Sequence, residues 1–549
     1  MRCKNGVFYF LYKIKLLYIF LFFSLLLKKT YDLKTILSID CGTQSLRALI
    51  FSLKGDLLAV QRVKYEPYVS LNPGWAEQDA EVYWEALITA CRSLKRESPE
   101  YFGAITGIGV TTMRDSMVNV DREGKPLRPI MVWLDQRKAK PVYKPGIGMK
   151  LLIWFIGMRD SIKKAQRDGK CNWIRQKQPE IWKKTHKFLQ VSGYLNYMLT
   201  GDFKDSVASQ IGHVPFDYKR LKWGNPKNLL TFSAKLYPVE KDKLAELVNP
   251  GEILGHITKS ASTDSGLPEN LPVIACGSDK GCETLGMGVL TNSIASLSFG
   301  TTATIQTTSK RYLEPIPFMP AYPAVFSGFF NPEVEIFRGF WMISWFKNEF
   351  AHKEIEEAKE RGIQEEEVLN ELLCQSPPGS MGLMVQPYWS PGLSQPAAKG
   401  AIIGFGDVHK KPHIYRAVIE GLVYALKEGK EKIEKVSKTK IHRLAVSGGA
   451  SQSDEICQIA ADIFNLPVIR GRTAETSGLG AAVLTAFGTG NYKTVEEAVG
   501  EMVQIKDEFY PNLNHVKVYA QLYKKVYKKM YRKLEPFYHA IRDITGYPE

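Results

Sequence analysis

The first structured stretch of the chain alternates short apolar runs with small polar turns, a pattern typical of neighbouring β-strands. Three such runs predict strands over Thr35–Asp40, Leu46–Ser52 and Leu57–Val63. Their connecting turns contain Gly42 and Gly55, and connections this short join antiparallel strands. The sequence therefore predicts a β-meander at the start of the fold.

A second stretch repeats the beginning of this meander. Ile294–Thr307 (IASLSFGTTATIQT) echoes Ile36–Leu49 (ILSIDCGTQSLRAL), with a strand, a Gly-Thr turn and another strand in each. Such self-similarity indicates repeated structural units, so we predict two related α/β domains. The second turn lacks the Asp of the first: Asp40 begins the first turn, whereas Phe299 precedes the glycine of the second.

Three further apolar runs end directly before small or charged residues. They are Ile105–Thr111, followed by Met113, Arg114 and Asp115; Val273–Ala275, followed by Asp279; and Ile441–Val446, followed by Gly448, Gly449 and Ser453. Open α/β sheets place their ligand contacts at the ends of such strands. We therefore expect a ligand site at the edges of the two sheets.

These groups also have structural interpretations, which the residues alone leave open. Arg114 and Asp115 would form an exposed ion pair, and Ser278 or Asp279 would cap a helix predicted over Cys282–Val289. The Gly448-Gly449 pair would serve tight packing rather than a ligand.

The first Gly-Thr turn is suited to an anion. Its Asp-x-Gly-Thr-x-Ser sequence offers backbone N–H groups and the hydroxyls of Thr43 and Ser45, and turns of this kind form anion-binding concavities. Asp40 stands beside it, where a phosphate-bound Mg²⁺ would need a carboxylate.

Helical segments complete the α/β pattern. Asn172–Leu199 predicts two helices, Glu354–Leu373 one charged helix and His413–Lys435 one long helix. Near the C-terminus, apolar and aromatic residues recur at helical spacing among lysines, which predicts an amphipathic helix with a wet basic face.

Length and charge narrow the class of protein. A chain of 549 residues is too long for one ordinary domain. The net charge of +16 comes partly from lysines and arginines at the two ends of the chain, and neither zinc-finger spacing nor an RNA-binding motif accompanies them. We therefore expect no nucleic-acid partner. The eight cysteines include no Cys-x-x-Cys pair, which is typical of thiols in a reducing compartment such as the cytoplasm.

Residues 1–33 differ from the rest of the sequence. Leu16–Leu27 (LLYIFLFFSLLL) is a continuous apolar run with lysines on both sides, short for a membrane span. It fits a signal anchor, an uncleaved export signal, or upstream DNA translated from a wrong start site. The narrow composition favours the last interpretation, so we expect a membrane association only if this segment is a real anchor.

Taken in order, these motifs resemble those of the FGGY carbohydrate kinases of the actin/hexokinase-like superfamily. The resemblance extends from about Lys34 to the C-terminus and includes the two Gly-Thr turns, Asp279 after Gly277-Ser278, and the stretch Ser447–Ser453. Trp133-Leu134-Asp135-Gln136-Arg137 is similar to the family's Trp-x-Asp-x-Arg signature.

The resemblance implies two ribonuclease H-like domains with the active site in the cleft between them. It implies an N-terminal domain over 34–290 with the sugar and phosphate site, a C-terminal domain over 291–500 with the adenosine site, and a helical segment over 501–549. The implied reaction is ATP-dependent phosphorylation of a hydroxyl of a small sugar or polyol, with cofactors ATP and Mg²⁺. A homodimer is left open.

The resemblance also implies roles for single residues. Asp279 would be the general base, Asp40 would hold Mg²⁺, and Met113, Arg114, Asp115 and Asp279 would contact the sugar. The ATP contacts would be Thr43, Gln44, Ser45, Arg47, Gly300, Thr301, Gly448, Gly449 and Ser453.

The sugar itself stays open at this point. Met113-Arg114-Asp115 is similar to the Gln-Arg-Glu of glycerol kinases and the Met-Arg-Glu of autoinducer-2 kinases, with a shorter acid, and it lacks the Gln-His pair of xylulose kinases. Glycerol, a ketopentose such as xylulose and an autoinducer-2-like sugar are the alternatives. A non-catalytic sugar- and ATP-binding regulator of the same fold is the competing class, which the intact Asp40 and Asp279 disfavour.

Overall fold

The structure is a computed structural model. It describes residues 33–155, 158–227, 231–317, 319–390, 392, 395 and 397–547. The predictions for the apolar run near the N-terminus lie outside these residues. No helix in the described part of the chain has the length and apolar character needed to cross a membrane.

The first large sheet contains the predicted meander. Its six strands are, in spatial order, Ile253–His256, Pro272–Ile274, Ile105–Thr112, Thr35–Cys41, Ser45–Ser52 and Leu57–Lys64. Thr35–Cys41 pairs antiparallel with Ser45–Ser52 and parallel with Ile105–Thr112. The meander prediction is therefore confirmed.

The second large sheet repeats this topology. Its six strands are Glu333–Ile336, Ala303–Gln306, Ile294–Phe299, Arg443–Ser447, Val468–Gly471 and Ile505–Phe509. Ile294–Phe299 pairs antiparallel with Ala303–Gln306 and parallel with Arg443–Ser447. The short sequence echo thus marks two sheets with equivalent centres, and the prediction of two related α/β domains is confirmed.

Two helices lie between the large sheets. The first, Asp279–Gly286, is called the cleft helix below. It crosses the helix Thr476–Gly488 at close range. A Cβ added to Gly480 would lie only 1.9 Å from the carbonyl oxygen of Cys282, so the crossing has room for glycine alone. Leu479 and Leu285 share one buried cluster with Leu49 of the first sheet, so this helix pair connects the two halves of the molecule.

The remaining helices cover the outer faces of the sheets or form the segments between them. They are Ala80–Glu97, Pro99–Gly103, Ile147–Phe155, Arg159–Asp168, Lys170–Lys177, Pro179–Lys184, Val191–Thr200, Phe232–Leu236, Lys259–Ser265, Trp341–Phe350, His352–Arg361, Glu365–Cys374, Lys411–Ser437, Asp454–Phe464, Val495–Met502, Leu513–Leu522 and Lys528–Thr545, with a π-helical turn at Tyr523–Tyr527.

Smaller sheets complete the fold. One has four strands, Glu77–Gln78, Ile130–Met131, Met117–Val120 and Lys187–Gln190. The two-stranded pairs are Phe216–Asp217 with Lys222–Trp223, Lys204–Ser206 with Glu246–Val248, Tyr322–Pro323 with Phe330–Asn331, and Met384–Gln386 with Ala401–Ile403.

Two helix predictions were wrong in detail. The segment predicted as two helices contains the strand Lys187–Gln190, which pairs with Met117–Val120, and Pro179 starts a new helix there because proline lacks the N–H that would continue the preceding one. The single charged helix predicted over 354–373 divides at Gly362, which adopts φ 64° and ends the helix His352–Arg361.

The basic C-terminal helix is amphipathic as predicted. Tyr519, Tyr523, Tyr527 and Met530 are buried in the core around the second sheet, whereas Lys524 and its neighbouring lysines are exposed. These charges therefore cover the outer surface of the domain.

Candidate active site

Asp279 is the first residue of the cleft helix, and a short connection, residues 275–278, joins it to the first-sheet strand Pro272–Ile274. The capping function belongs to its neighbour, because the Ser278 hydroxyl accepts the N–H of Gly281 at 3.3 Å. Oδ1 of Asp279 accepts the N–H of Lys280 at 2.8 Å, and Oδ2 makes no hydrogen bond with any described residue. With 34% of its side chain exposed, Asp279 faces open space in the cleft.

Arg114 connects the two sheets beside Asp279. Its Nη1 lies 3.0 Å from Glu333 Oε1, and its Nη2 lies 3.2 Å from Oε2 of the same carboxylate. The guanidinium also lies over the Tyr322 ring at 4.9 Å, and Nε lies 3.9 Å from Asp279 Oδ1. Since Arg114 follows a strand of the first sheet and Glu333 belongs to the second, this pair spans the cleft.

Asp115 is held by a loop and a helix rather than left open. Lys170 Nζ and His213 Nδ1 each lie 2.7 Å from Oδ2, and the His213 N–H donates to Oδ1 at 2.9 Å. Burial opposes the ionisation of Asp115, but His213 and Lys170 outweigh it and hold its pKa below the usual range. Met113, the remaining predicted sugar contact, is buried with its sulfur 3.7 Å from Thr43 Oγ1.

The first Gly-Thr turn lies next to these residues. The Gly42 N–H donates to Ser45 O at 3.0 Å and closes the turn. Gln44 at its tip is exposed, whereas Ser45 is buried and accepts a hydrogen bond from Arg62 Nε at 3.1 Å. Thr43 Oγ1 accepts the indole N–H of Trp133 at 2.9 Å.

Asp40 lies beneath this turn in a group of charges. Arg47 contacts Asp40 Oδ2 at 3.0 Å with Nη2 and Glu475 Oε2 at 2.5 Å with Nη1. Burial, opposed by Arg47, is the main cause that raises the pKa of Asp40 to about 6, and the charges of Asp279, Glu475 and Glu283 contribute smaller parts of that rise. Asp40 and Asp279 therefore lie close enough to interact.

Trp133 was not among the predicted contacts, although the sequence signature contains it. Its side chain is 39% exposed and it contacts Thr43. Elsewhere in the signature Arg137 stacks between Trp75 and Trp173, with its guanidinium 4.2 and 4.4 Å from the rings, and it pairs with Asp135 at 2.7 Å. Trp133 of this signature therefore presents an exposed surface at the turn, whereas Arg137 is buried.

The second Gly-Thr turn and the glycine pair lie side by side. Gly448 adopts φ 86°, and a Cβ on it would lie 2.7 Å from the backbone carbon of Phe299. Thr301 is exposed, and the space beside Gly449 is open. Ser453 instead caps the helix Asp454–Phe464 by accepting the N–H of Ile456 at 3.2 Å, so its hydroxyl is directed to the helix start.

A charged network that sequence reasoning missed connects the cleft helix to the second Gly-Thr turn and to the glycine pair. Lys280 Nζ donates to Glu283 Oε2 at 2.8 Å and to Ser298 Oγ at 2.5 Å. Oε1 of Glu283 accepts the hydroxyls of Ser298, at 2.9 Å, and Ser447. Ser298 and Ser447 are partners on neighbouring parallel strands; Ser298 lies just before the second Gly-Thr turn, and Ser447 directly precedes the Gly448-Gly449 pair. Only the i, i+3 spacing of Lys280 and Glu283 was visible in the sequence.

The two matched sheets, the paired Gly-Thr turns and the open carboxylate between them define a two-domain phosphotransferase of the actin-like ATPase architecture, with a hydroxyl group as acceptor. The chain belongs to the FGGY family of carbohydrate kinases. The model of that family's N-terminal domain matches residues 35–286, and the model of its C-terminal domain matches residues 295–489.

Individual relatives cover nearly the whole chain. The uncharacterized sugar kinase YgcE of Escherichia coli is 28% identical over 487 residues, which are 88% of this chain and 91% of that protein. The xylulose kinase of Lactococcus lactis is 26% identical over 499 residues, 89% of this chain and 94% of its own. The gluconate kinase structure from Lactobacillus acidophilus superposes with a TM-score of 0.78 at 20% identity, covering 93% of this chain and all (100%) of that one.

Proposed function

We propose that this carbohydrate kinase transfers the γ-phosphoryl group of Mg-ATP to a hydroxyl of a small neutral sugar or polyol, with Asp279 as general base. The observation that carries this proposal is the open Asp279 carboxylate. It faces the cleft between the Arg114–Glu333 pair on one side and the Asp40 turn on the other.

The base needs a carboxylate that is ionised but ready to take a proton. Burial raises the pKa of Asp279 from its ordinary value, while Arg114 and Lys280 oppose that rise. General bases work best when their pKa approaches the working pH. As the sugar hydroxyl attacks, its proton passes to Asp279, and phosphoryl transfer otherwise depends on positioning and charge neutralisation.

The nucleotide fits the two turns and the glycine pair. Thr43, Gln44, Gly300 and Thr301 offer backbone and hydroxyl groups to phosphates, and the open side of Gly449 leaves room for the adenosine. In this proposal Ser45 and Ser453 support the turn and the helix start, since both are buried and Ser453 caps the helix Asp454–Phe464.

A magnesium ion fits the donor set around Asp40. Among the described residues no group of three or more His, Cys, Asp or Glu side chains forms a metal cage. Mg²⁺ bound to nucleotides commonly uses one or two carboxylates, with phosphates and water as the other ligands. Asp40 would supply such a carboxylate, and Asp279, Glu475 and Glu283 lie close enough to add negative charge that a cation would neutralise. Bound Mg²⁺ would neutralise charge on the phosphates.

The charges near Asp279 favour an uncharged acceptor. Arg114 is paired with Glu333, and Lys170 with Asp115. Glu335, two residues beyond Glu333, has a pKa raised to about 7, chiefly by burial and then by Glu333. An aldonate carboxylate would therefore enter a region where the cations already have partners, whereas sugar hydroxyls can hydrogen-bond to these ion pairs.

A coupled ADP-release assay over pentuloses, hexuloses, polyols, glycerol and gluconate tests this function. We expect ATP- and Mg²⁺-dependent turnover with a neutral ketose or polyol at a kcat/KM well above that with gluconate. Absence of turnover with every acceptor would support the non-catalytic regulator of the same fold. Preferred turnover of gluconate would refute only the preference for a neutral acceptor and would leave the kinase function in place.

A further inference from the structure

Lys280 lies between the base and the second Gly-Thr turn. It follows Asp279 directly, and its Nζ contacts Ser298 at 2.5 Å. A Cβ on Gly300 would lie 3.9 Å from this nitrogen. A group bound against the Gly300 turn is therefore within reach of the lysine ammonium.

The other cations near Asp279 and Asp40 are less available to a phosphate. Arg47 bridges Asp40 and Glu475, and Arg114 is paired through two nitrogens with Glu333. Lys280 has one carboxylate partner, Glu283, and its side chain is 20% exposed. Its second acceptor is a serine hydroxyl, which a more strongly charged oxygen could displace.

The network also explains how the lysine is held in place. Glu283 is 8% exposed and accepts hydrogen bonds from Lys280, Ser298 and Ser447. This arrangement fixes the first turn of the cleft helix against the strands that lead into the second Gly-Thr turn and the glycine pair. A lysine ammonium on such a support is preorganised, which is how charged groups stabilise a transferring phosphoryl group at little cost in reorganisation.

From this geometry, and on the basis of the proposed kinase function, we propose that Lys280 is a further catalytic residue that contacts the γ-phosphoryl group during transfer. The sugar oxygen forms a bond to the γ-phosphorus while the bond to the β,γ-bridging oxygen breaks. The hydroxyl proton goes to Asp279, and the electron pair of the broken bond leaves with ADP. Lys280 neutralises charge on the phosphoryl oxygens in this step.

A double-variant cycle separates this role from a structural ion pair. Lys280→Met alone would leave Glu283 buried without its cation, so its effect is also measured in the Glu283→Gln background, where the ion pair is already absent. If Lys280 contacts the phosphoryl group, kcat should fall on the order of 10²–10³-fold in both backgrounds. Recovery of kcat in Lys280→Met/Glu283→Gln to the level of Glu283→Gln would overturn the proposal.

Nucleotide affinity gives a second readout that needs no acceptor. Titration calorimetry with Mg²⁺ should show Lys280→Met/Glu283→Gln losing about tenfold or more of the affinity of Glu283→Gln for a non-hydrolysable ATP analogue, with a much smaller change for ADP. Equal losses for both nucleotides, or none, would place Lys280 away from the γ-phosphate. Because this measurement omits the sugar, it tests Lys280 even if the kinase function itself fails.

Discussion

At the residue scale, two neighbouring residues at a strand-to-helix junction have different functions, helix capping by Ser278 and, as proposed, base catalysis by Asp279. Ser278 caps the cleft helix, and Asp279 keeps one oxygen without a hydrogen bond to the described residues. Loss of the Asp279 charge should therefore affect chemistry much more than folding.

Asp279→Asn should lower kcat by about 10²–10⁴-fold, since an amide cannot accept the hydroxyl proton. The melting temperature should change by no more than about 3 °C, because a charge at a helix N-terminus contributes only about 0.3–1 kcal/mol. Ser278→Ala is the matched control and should lose roughly 1 kcal/mol of stability with its cap. Near-normal kcat in Asp279→Asn would remove the residue from the chemistry.

Arg114 provides a test of the base through pH. It is the group that most strongly opposes the raised pKa of Asp279, so Arg114→Gln should raise that pKa further. A base is active above its pKa and loses activity as the pH falls through it, so the acidic limb of the kcat/KM profile should move to higher pH. The sugar KM should also rise more than the ATP KM. An acidic limb that stays in place would contradict this assignment.

At the scale of elements, the close helix crossing positions the base. Gly480 lies in the helix Thr476–Gly488, and the position for its Cβ is 1.9 Å from Cys282 O in the cleft helix. No side chain fits there unless one of the helices moves.

Gly480→Ala should therefore destabilise the protein by about 1–3 kcal/mol through overpacking. It should also lower kcat, because a displacement of about 1 Å in catalytic geometry can cost roughly 10²-fold. Gly500→Ala is the control, since nothing lies within 4 Å of its Cβ position and alanine favours a helix by about 0.5–1 kcal/mol. Thermal unfolding and kcat, measured for both variants, check the prediction. Equal behaviour of the two variants would contradict it.

At the scale of the whole molecule, the two halves meet through charged and apolar contacts that lie around the cleft. Arg114 and Glu333 join across it, and the Lys280–Glu283 network joins the cleft helix to the second sheet. Changes in the distance between the two halves should therefore change the position of Asp279, which lies between these contacts.

The abrupt change in composition near Lys34 leads to a prediction at this scale. A chain beginning at Leu33 should fold and show the same kcat and KM as the full chain, because the meander begins at Thr35. Expression, sedimentation and kinetic measurements of the two chains side by side check this. If the shorter chain fails to fold while the full chain is active only in membranes, the anchor interpretation is correct.

The sequence by itself determined the local elements and the order of the motifs. The apolar runs and glycine turns specify both hairpins, because the two strands of a hairpin and their turn are close together in the chain. Asp279 after an apolar run specifies a carboxylate near a sheet edge. The break at Gly362 and the strand Lys187–Gln190 were missed, since a left-handed glycine and a strand's pairing partner leave little trace in local periodicity.

Only the tertiary structure decided which charges meet. It directs Asp115 to Lys170 and His213, pairs Arg114 with Glu333 219 positions away, and brings Ser298 and Ser447 to Glu283. These partners are far apart in the chain, and ionic and hydrogen-bond contacts require distances of about 3 Å that no sequence spacing specifies. The roles of Ser278 as cap and Asp279 as open carboxylate were likewise decided by the direction of two side chains at one helix start.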